Sequence, residues 1–139
     1  RFGFVPGQLP PVDAVSSASV YAKHDVPPVV ANLNTVQRRG EALFQANCAF
    51  CHGADGSGKN WIGQFMEPKA RDLTAYSDAT MPAARLKQVI REGLPGTSMP
   101  AWQHVLKPQE IDAVAAYLRR AMWRGQSAQQ ARSLQQPHP

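Results

Sequence analysis

The chain has 139 residues, 43% of them apolar, which fits one small domain with extensions. Its 15 basic and 10 acidic side chains leave a formal charge of +5; they form no stripe or motif, which argues against nucleic-acid binding and leaves solubility or steering toward acidic protein surfaces. No run of about 20 apolar residues is present, so no transmembrane segment is expected, and without a charged start followed by an apolar run the chain reads as already processed.

Residues 1–34 hold Pro6, Pro10, Pro11, Pro27 and Pro28 with no sustained apolar period. They are expected to form an extended arm. Phe2, Phe4 and Tyr21 suggest that it packs on the domain surface or on a partner. A helix is expected from Asn34 or Thr35, where Asn34 and Gln37 have the spacing of a capping box. Val36, Gly40, Leu43 and Phe44 then share one face. A glycine inside a helix is unfavourable by about 1 kcal/mol relative to alanine, so Gly40 suggests the close approach of another element.

That helix delivers Cys48-Ala49-Phe50-Cys51-His52, which contains the only two cysteines of the chain. Cys-x-x-Cys-His is the attachment pattern of a c-type haem. Two thiols three positions apart can each form a thioether to one porphyrin edge, and the adjoining histidine is then held beneath the iron as its proximal ligand. A zinc site would need a second ligand pair, and His24, His104 and His138 are scattered. A redox dithiol would follow a strand, whereas the flanks here read as helical. A plain disulfide beside an incidental histidine is the remaining alternative.

Gly53-Ala54-Asp55-Gly56-Ser57-Gly58 reads as a tight loop and not a phosphate cradle, because no strand precedes it. Residues 59–79 are expected to be loop, with a backbone carbonyl near Pro68 accepting the Nδ1 hydrogen of His52. A second helix is expected over Pro82 to Glu92, with Pro82 at its first position and Gly93 ending it. After the irregular loop 94–102, a last helix is expected from Pro108 to about Trp123. Its stripe is Ile111, Val114, Ala115, Leu118 and Met122, with Tyr117 beside it. Residues 124–139 read as a frayed tail.

The iron's second ligand should come from a loop that can cross the far haem face. Met99, in the Gly/Pro-rich loop between the last two helices, suits this best. Met122 belongs to a helix stripe and reads as core. Met66, Met81, His104 and an open sixth position stay as alternatives.

Gly40-Glu-Ala-Leu-Phe44, the Cys48–Gly53 motif, Gly96-Thr-Ser-Met99-Pro100-Ala-Trp102 and the helix from Ile111 to Leu118 together resemble the class I c-type cytochromes. The resemblance runs from about Thr35 to Trp123 and places the domain at 35–123. It implies an all-α fold of three to four helices around one covalent haem c, with the first and last helices crossing where Gly40 and Phe44 meet Tyr117. It implies thioethers at Cys48 and Cys51, His52 as proximal ligand and Met99 as distal ligand. One-electron transfer is the function implied, with no catalysis by the chain itself. The partner would be a redox protein with an acidic docking surface, and the location an export compartment, the periplasm. A haem enzyme or gas-binding protein with an open iron is the alternative. Lys107 departs from the Ser or Thr usual before Pro108. The arm raises the question of a free carrier against a subunit held in a stable complex through residues 1–33.

Overall fold

The computed structural model describes residues 20–125, and among these no residue is in a strand. Residues 20–22 are helical rather than extended and run into a 3-10 turn at Lys23–Asp25; the helices that follow are α1 (Thr35–Asn47), α2 (Ala49–His52), α3 (Trp61–Phe65), α4 (Ala83–Glu92) and α5 (Pro108–Ala121), with a second 3-10 turn at Leu73–Ala75. The expectations for Phe2, Phe4, the rest of residues 1–19 and the tail beyond 125 lie outside the described residues.

Local chemistry sets the helix ends. Asn34 Oδ1 accepts the Gln37 N–H at 2.8 Å while Gln37 Oε1 accepts the Asn34 N–H at 3.0 Å. The two orphan donors at the start of α1 are thus satisfied reciprocally. Gly93 ends α4 at φ 72°, a left-handed backbone that glycine adopts without strain. Lys107 supplies no side-chain cap to α5; Glu110 Oε1 accepts the Lys107 N–H at 2.9 Å and provides half of one.

The core is the crossing of α1 and α5. A Cβ placed on Gly40 would lie 1.9 Å from the Ala113 carbonyl oxygen and 2.8 Å from Tyr117 Cβ. The two backbones can approach this closely only because residue 40 has no side chain. One turn later Phe44 and Tyr117 pack with ring centroids 5.8 Å apart. Ile111, Val114, Ala115 and Leu118 are buried along α5, and α4 adds Leu86, Val89 and Ile90. Burying each of the larger aliphatic side chains contributes about 1.5–3 kcal/mol. The all-α fold with crossing first and last helices is therefore the one observed.

Some expectations differ in detail. The stretch 59–79 is not wholly loop, since α3 and the turn Leu73–Ala75 interrupt it. Five residues containing Gly63 are too few to display a helical period. Val36 is exposed and does not share the buried face of Gly40 and Phe44. Pro82 caps α4 from outside its first turn. α5 ends at Ala121, although the N–H groups of Met122 and Trp123 still bond Leu118 O at 2.9 and 3.1 Å.

Residues 20–33 lie against the helices. Tyr21 packs its ring 5.9 Å from Trp61 and 6.3 Å from Phe65. Leu33 is in the core, its carbonyl accepts from Arg38 Nε at 3.1 Å, and the Ala31 carbonyl accepts from Arg120 at 3.2 Å. The surface covered by this segment was not readable from the sequence.

Candidate cofactor site

The motif forms a single turn at the end of α1. The Cys48 N–H still bonds Phe44 O at 2.8 Å, and the Cys51 and His52 N–H groups both turn back to Cys48 O, at 3.3 and 3.0 Å. Asn60 Nδ2 donates to the Phe50 carbonyl at 2.9 Å and pins the turn from outside. Phe50 itself points to solvent. Both cysteines are free. Burial, with Cys51 adjacent, pushes the Cys48 thiol up to about 12, and burial raises Cys51 as well.

His52 is held twice. Its backbone carbonyl accepts the Gly58 N–H at 2.7 Å, and its Nδ1 bonds the Arg71 carbonyl at 3.1 Å. A carbonyl only accepts, so Nδ1 carries the hydrogen and Nε2 keeps a free lone pair. Burial pushes the imidazole's pKa down, against the opposing pull of the Arg71 carbonyl, and so favours the neutral ligand form. The expected carbonyl acceptor near Pro68 is thus corrected to Arg71, three residues later in the same loop. Spacing alone could not distinguish these carbonyls.

The loop after His52 is packed tightly. Gly58 has φ 69°, and a Cβ there would sit 2.6 Å from the Ala70 carbonyl oxygen. Asp55 accepts from Ser57 Oγ at 2.7 Å and from His24 Nδ1 at 2.6 Å, and its N–H bonds His24 O at 3.3 Å. Partial burial pushes the Asp55 carboxyl up, but the hydrogen bonds from His24 and Ser57 together outweigh it and the net displacement is downward.

Met99 sits in a loop bonded mostly to itself. Leu94 N–H reaches Met99 O at 3.3 Å, Thr97 Oγ1 donates to Leu94 O at 2.7 Å, and Met99 N–H reaches Thr97 Oγ1 at 3.2 Å. Trp102 N–H, bonded to Ile90 O at 3.0 Å, anchors the loop's far end to α4.

Between these parts lies a cavity of about 370 Å³, within the usual range for small-molecule and cofactor sites. Cys48, Cys51, His52 and Met99 all line it, together with Phe44, Leu86, Val114 and Trp102. Met66 and Met81 line it too. Met122 is fully buried in the core, as its place in the stripe implied, and His104 is exposed outside the lining. The charged lining residues are Lys69, Arg71 and Arg85, all cations. Sequence reasoning had not singled out these three, nor Tyr76 and Trp123 on the same wall.

This donor set fits a c-type haem. Two thiols lie within one turn, an imidazole keeps only Nε2 for a metal, the walls are apolar with three thioethers, and the bordering charges suit carboxylates. Among the described residues no cluster of three or more His, Cys, Asp and Glu could hold a bare metal ion.

Comparison with known proteins agrees. Residues 35–118 match the family model described as cytochrome C oxidase, cbb3-type, subunit III. The chain is 33% identical over 79 residues to cytochrome c6 of Bryopsis maxima, covering 57% of this chain and 84% of that protein. It is 33% identical over 106 residues to the Cbb3-type cytochrome c oxidase subunit FixP of Azorhizobium caulinodans, covering 76% of this chain and 31% of the relative, so it spans under a third of that protein. Among solved structures, the reducing HAO-like protein complex of Kuenenia stuttgartiensis shares the fold at TM-score 0.54 and 19% identity, over 81% of this chain and 50% of that one.

Proposed function

The chain belongs to the family of c-type cytochromes described as cytochrome C oxidase, cbb3-type, subunit III, and from that premise we propose that it carries single electrons through one haem c held by Cys48, Cys51, His52 and Met99. The haem, when bound, supplies an iron that alternates between Fe(III) and Fe(II). Cys48 and Cys51 tether it through thioethers. His52 offers Nε2 while Arg71 holds its other nitrogen, which increases ligand basicity and fixes the ring plane. Met99, in the lining of the same cavity, would offer a thioether, and such a ligand raises the potential. With His52 and Met99 both committed to holding the cofactor, no place would be left for a substrate, and the chain would act as a conduit with no turnover of its own. The apolar walls exclude water and limit the reorganisation that accompanies each change of charge.

The observation that best supports this reading is that one cavity is lined by both thiols, by an imidazole whose Nδ1 is already engaged, and by Met99. Met66 and Met81 in the same lining are why the axial ligand needs its own test. The +5 charge supports an acidic docking surface on the redox partner. Relatives of both kinds, a cytochrome c6 and an oxidase subunit, suit either a free carrier or a complex held through residues 1–33. We assign it to the periplasm; among the described residues no helix is long and apolar enough to cross a membrane.

The test uses the exported protein. Mass spectrometry after denaturation should show the polypeptide plus one porphyrin, redox titration should give a one-electron wave, and the ferrous form should bind no carbon monoxide. A polypeptide without added porphyrin mass would overturn the reading. Rapid carbon monoxide binding would favour an open iron and a gas-binding or enzymatic role.

A further inference from the structure

The four residues of α2 are too few for a helix to hold itself, and the carbonyls of the motif need partners from elsewhere. Cys48 O takes the Cys51 and His52 N–H groups, Ala49 O takes the Gly53 N–H at 2.8 Å, and His52 O takes the Gly58 N–H. Gly53 then turns the chain away at φ 79°, so no later N–H continues the ladder to Phe50 O. That carbonyl is met instead by a side chain from α3, Asn60 Nδ2 at 2.9 Å.

Asn60 is diverted from its ordinary use to do this. It is the N-cap residue of α3, where an asparagine normally turns its oxygen to the N–H groups of its own helix. Here it makes no such bond. Its Oδ1 has no hydrogen-bond partner among the described residues, and its donor end points at α2. The residue is only 3% exposed, and two glycines admit it: a Cβ on Gly63 would lie 2.6 Å from Oδ1, and one on Gly53 3.4 Å. The Gly63 Cβ would also lie 2.5 Å from the Cys51 carbonyl oxygen, so α3 is seated directly on the motif.

The bond holds the peptide unit that joins Phe50 to Cys51. The oxygen of that unit is tied by Asn60, and its N–H by Cys48 O at 3.3 Å. A peptide unit is planar, so two ties on opposite edges fix its plane and, with it, the Cα of Cys51. Given the haem reading above, on which this inference rests, we propose that Asn60 is a positioning residue for the cofactor. Its carboxamide sets the plane of the Phe50–Cys51 peptide, and so the direction from which the Cys51 thiol and the His52 imidazole meet the haem. Arg71 selects the imidazole nitrogen that is presented, whereas Asn60 governs the backbone from which the ring projects.

The experiment uses the complete holoprotein, its covalent haem first established by mass. In a ¹⁵N-labelled ferrous sample, the Asn60 side-chain protons are identified by their disappearance in Asn60→Ser. One of them should exchange with solvent at least about tenfold more slowly than those of the exposed Asn34. Serine is a favoured N-cap residue but is too short to reach Phe50 O. In the ferric form of Asn60→Ser the four haem methyl proton resonances, which report the plane of the axial imidazole, should change in spread. Asn60→Asp keeps the shape without the donor and should change it too. A residue that served only to start α3 would leave the serine variant with the wild-type methyl pattern, and that result would overturn the proposal. If the serine variant does not retain haem, the aspartate variant is read in its place. If neither does, rapid exchange of both Asn60 protons in the wild type would overturn the proposal, and slow exchange of one would support it. Each of these failures leaves the covalent haem mass and the one-electron wave of the wild type intact, so the electron-transfer reading would survive it.

Discussion

The two walls of the cavity are built differently. The wall behind His52 is tied across long stretches of chain: His24 to Asp55, His52 to Arg71 and Leu73 to Gly56. The Met99 loop is tied chiefly within itself, between Leu94, Thr97 and Met99, with one anchor at Trp102. The first arrangement places its ligand in advance, because the bonds that aim the imidazole are part of the fold. The second, on the ligand set proposed above, would need a bond from Met99 to the haem iron to complete it. Loops with few cross-chain ties open at lower free energy than packed segments, so the methionine side is expected to be the one that opens first.

Four experiments would break or sharpen this contrast. The largest effect is expected from His52→Ala, which removes the centre of the tied wall. Absorption and circular dichroism should show loss of the low-spin spectrum and of much of the helix content. Gly63→Ala comes next. Its Cβ would fall 2.5 Å from both the Cys51 and Gly58 carbonyl oxygens, and overpacking of this kind costs about 1–3 kcal/mol in denaturant titrations. A neutral result would mean that the wall yields more easily than its bonds suggest.

Met99→Ala should spare the fold and the covalent haem, lower stability less than Gly63→Ala, remove the ferric sulfur–iron band near the red end and admit carbon monoxide. An unchanged spectrum and potential would reassign the axial ligand, with Met66 and Met81 next in line. The smallest effect is expected from His24→Ala, about 1 kcal/mol for one partly buried hydrogen bond to a carboxylate. Its pH signature has a definite sign. The folded Asp55 carboxyl lies below its ordinary 3.8, so its contribution is fully present above that value and is lost as pH falls through the folded value. The wild type should therefore show a steeper loss of stability below about pH 4 than the variant; parallel acid limbs would contradict this.

The parts legible in the sequence are those governed by neighbours a few residues apart. The Asn34–Gln37 cap, the α5 stripe, the cysteine turn and the proline-bounded Met99 loop all follow from local spacing. Gly40 announced a close approach because a helix interior gives glycine no other advantage. What stayed hidden depends on contacts across long chain separations: Arg71 as the carbonyl behind His52, His24 on Asp55, Trp123 closing the cavity. A backbone carbonyl is the same for every residue, so no residue type marks the one that will meet an imidazole. α3 escaped notice because five residues around a glycine carry no period.

The meeting point at residue 40 also limits how this protein can vary. The atom that a methyl group there would strike, at 1.9 Å, is a main-chain oxygen. Every amino acid at position 113 brings the same oxygen, so trimming the opposite helix cannot open the space. A saturation library at position 40 should return a single survivor, and a library that also varies 113 and 117 should find no compensating pair.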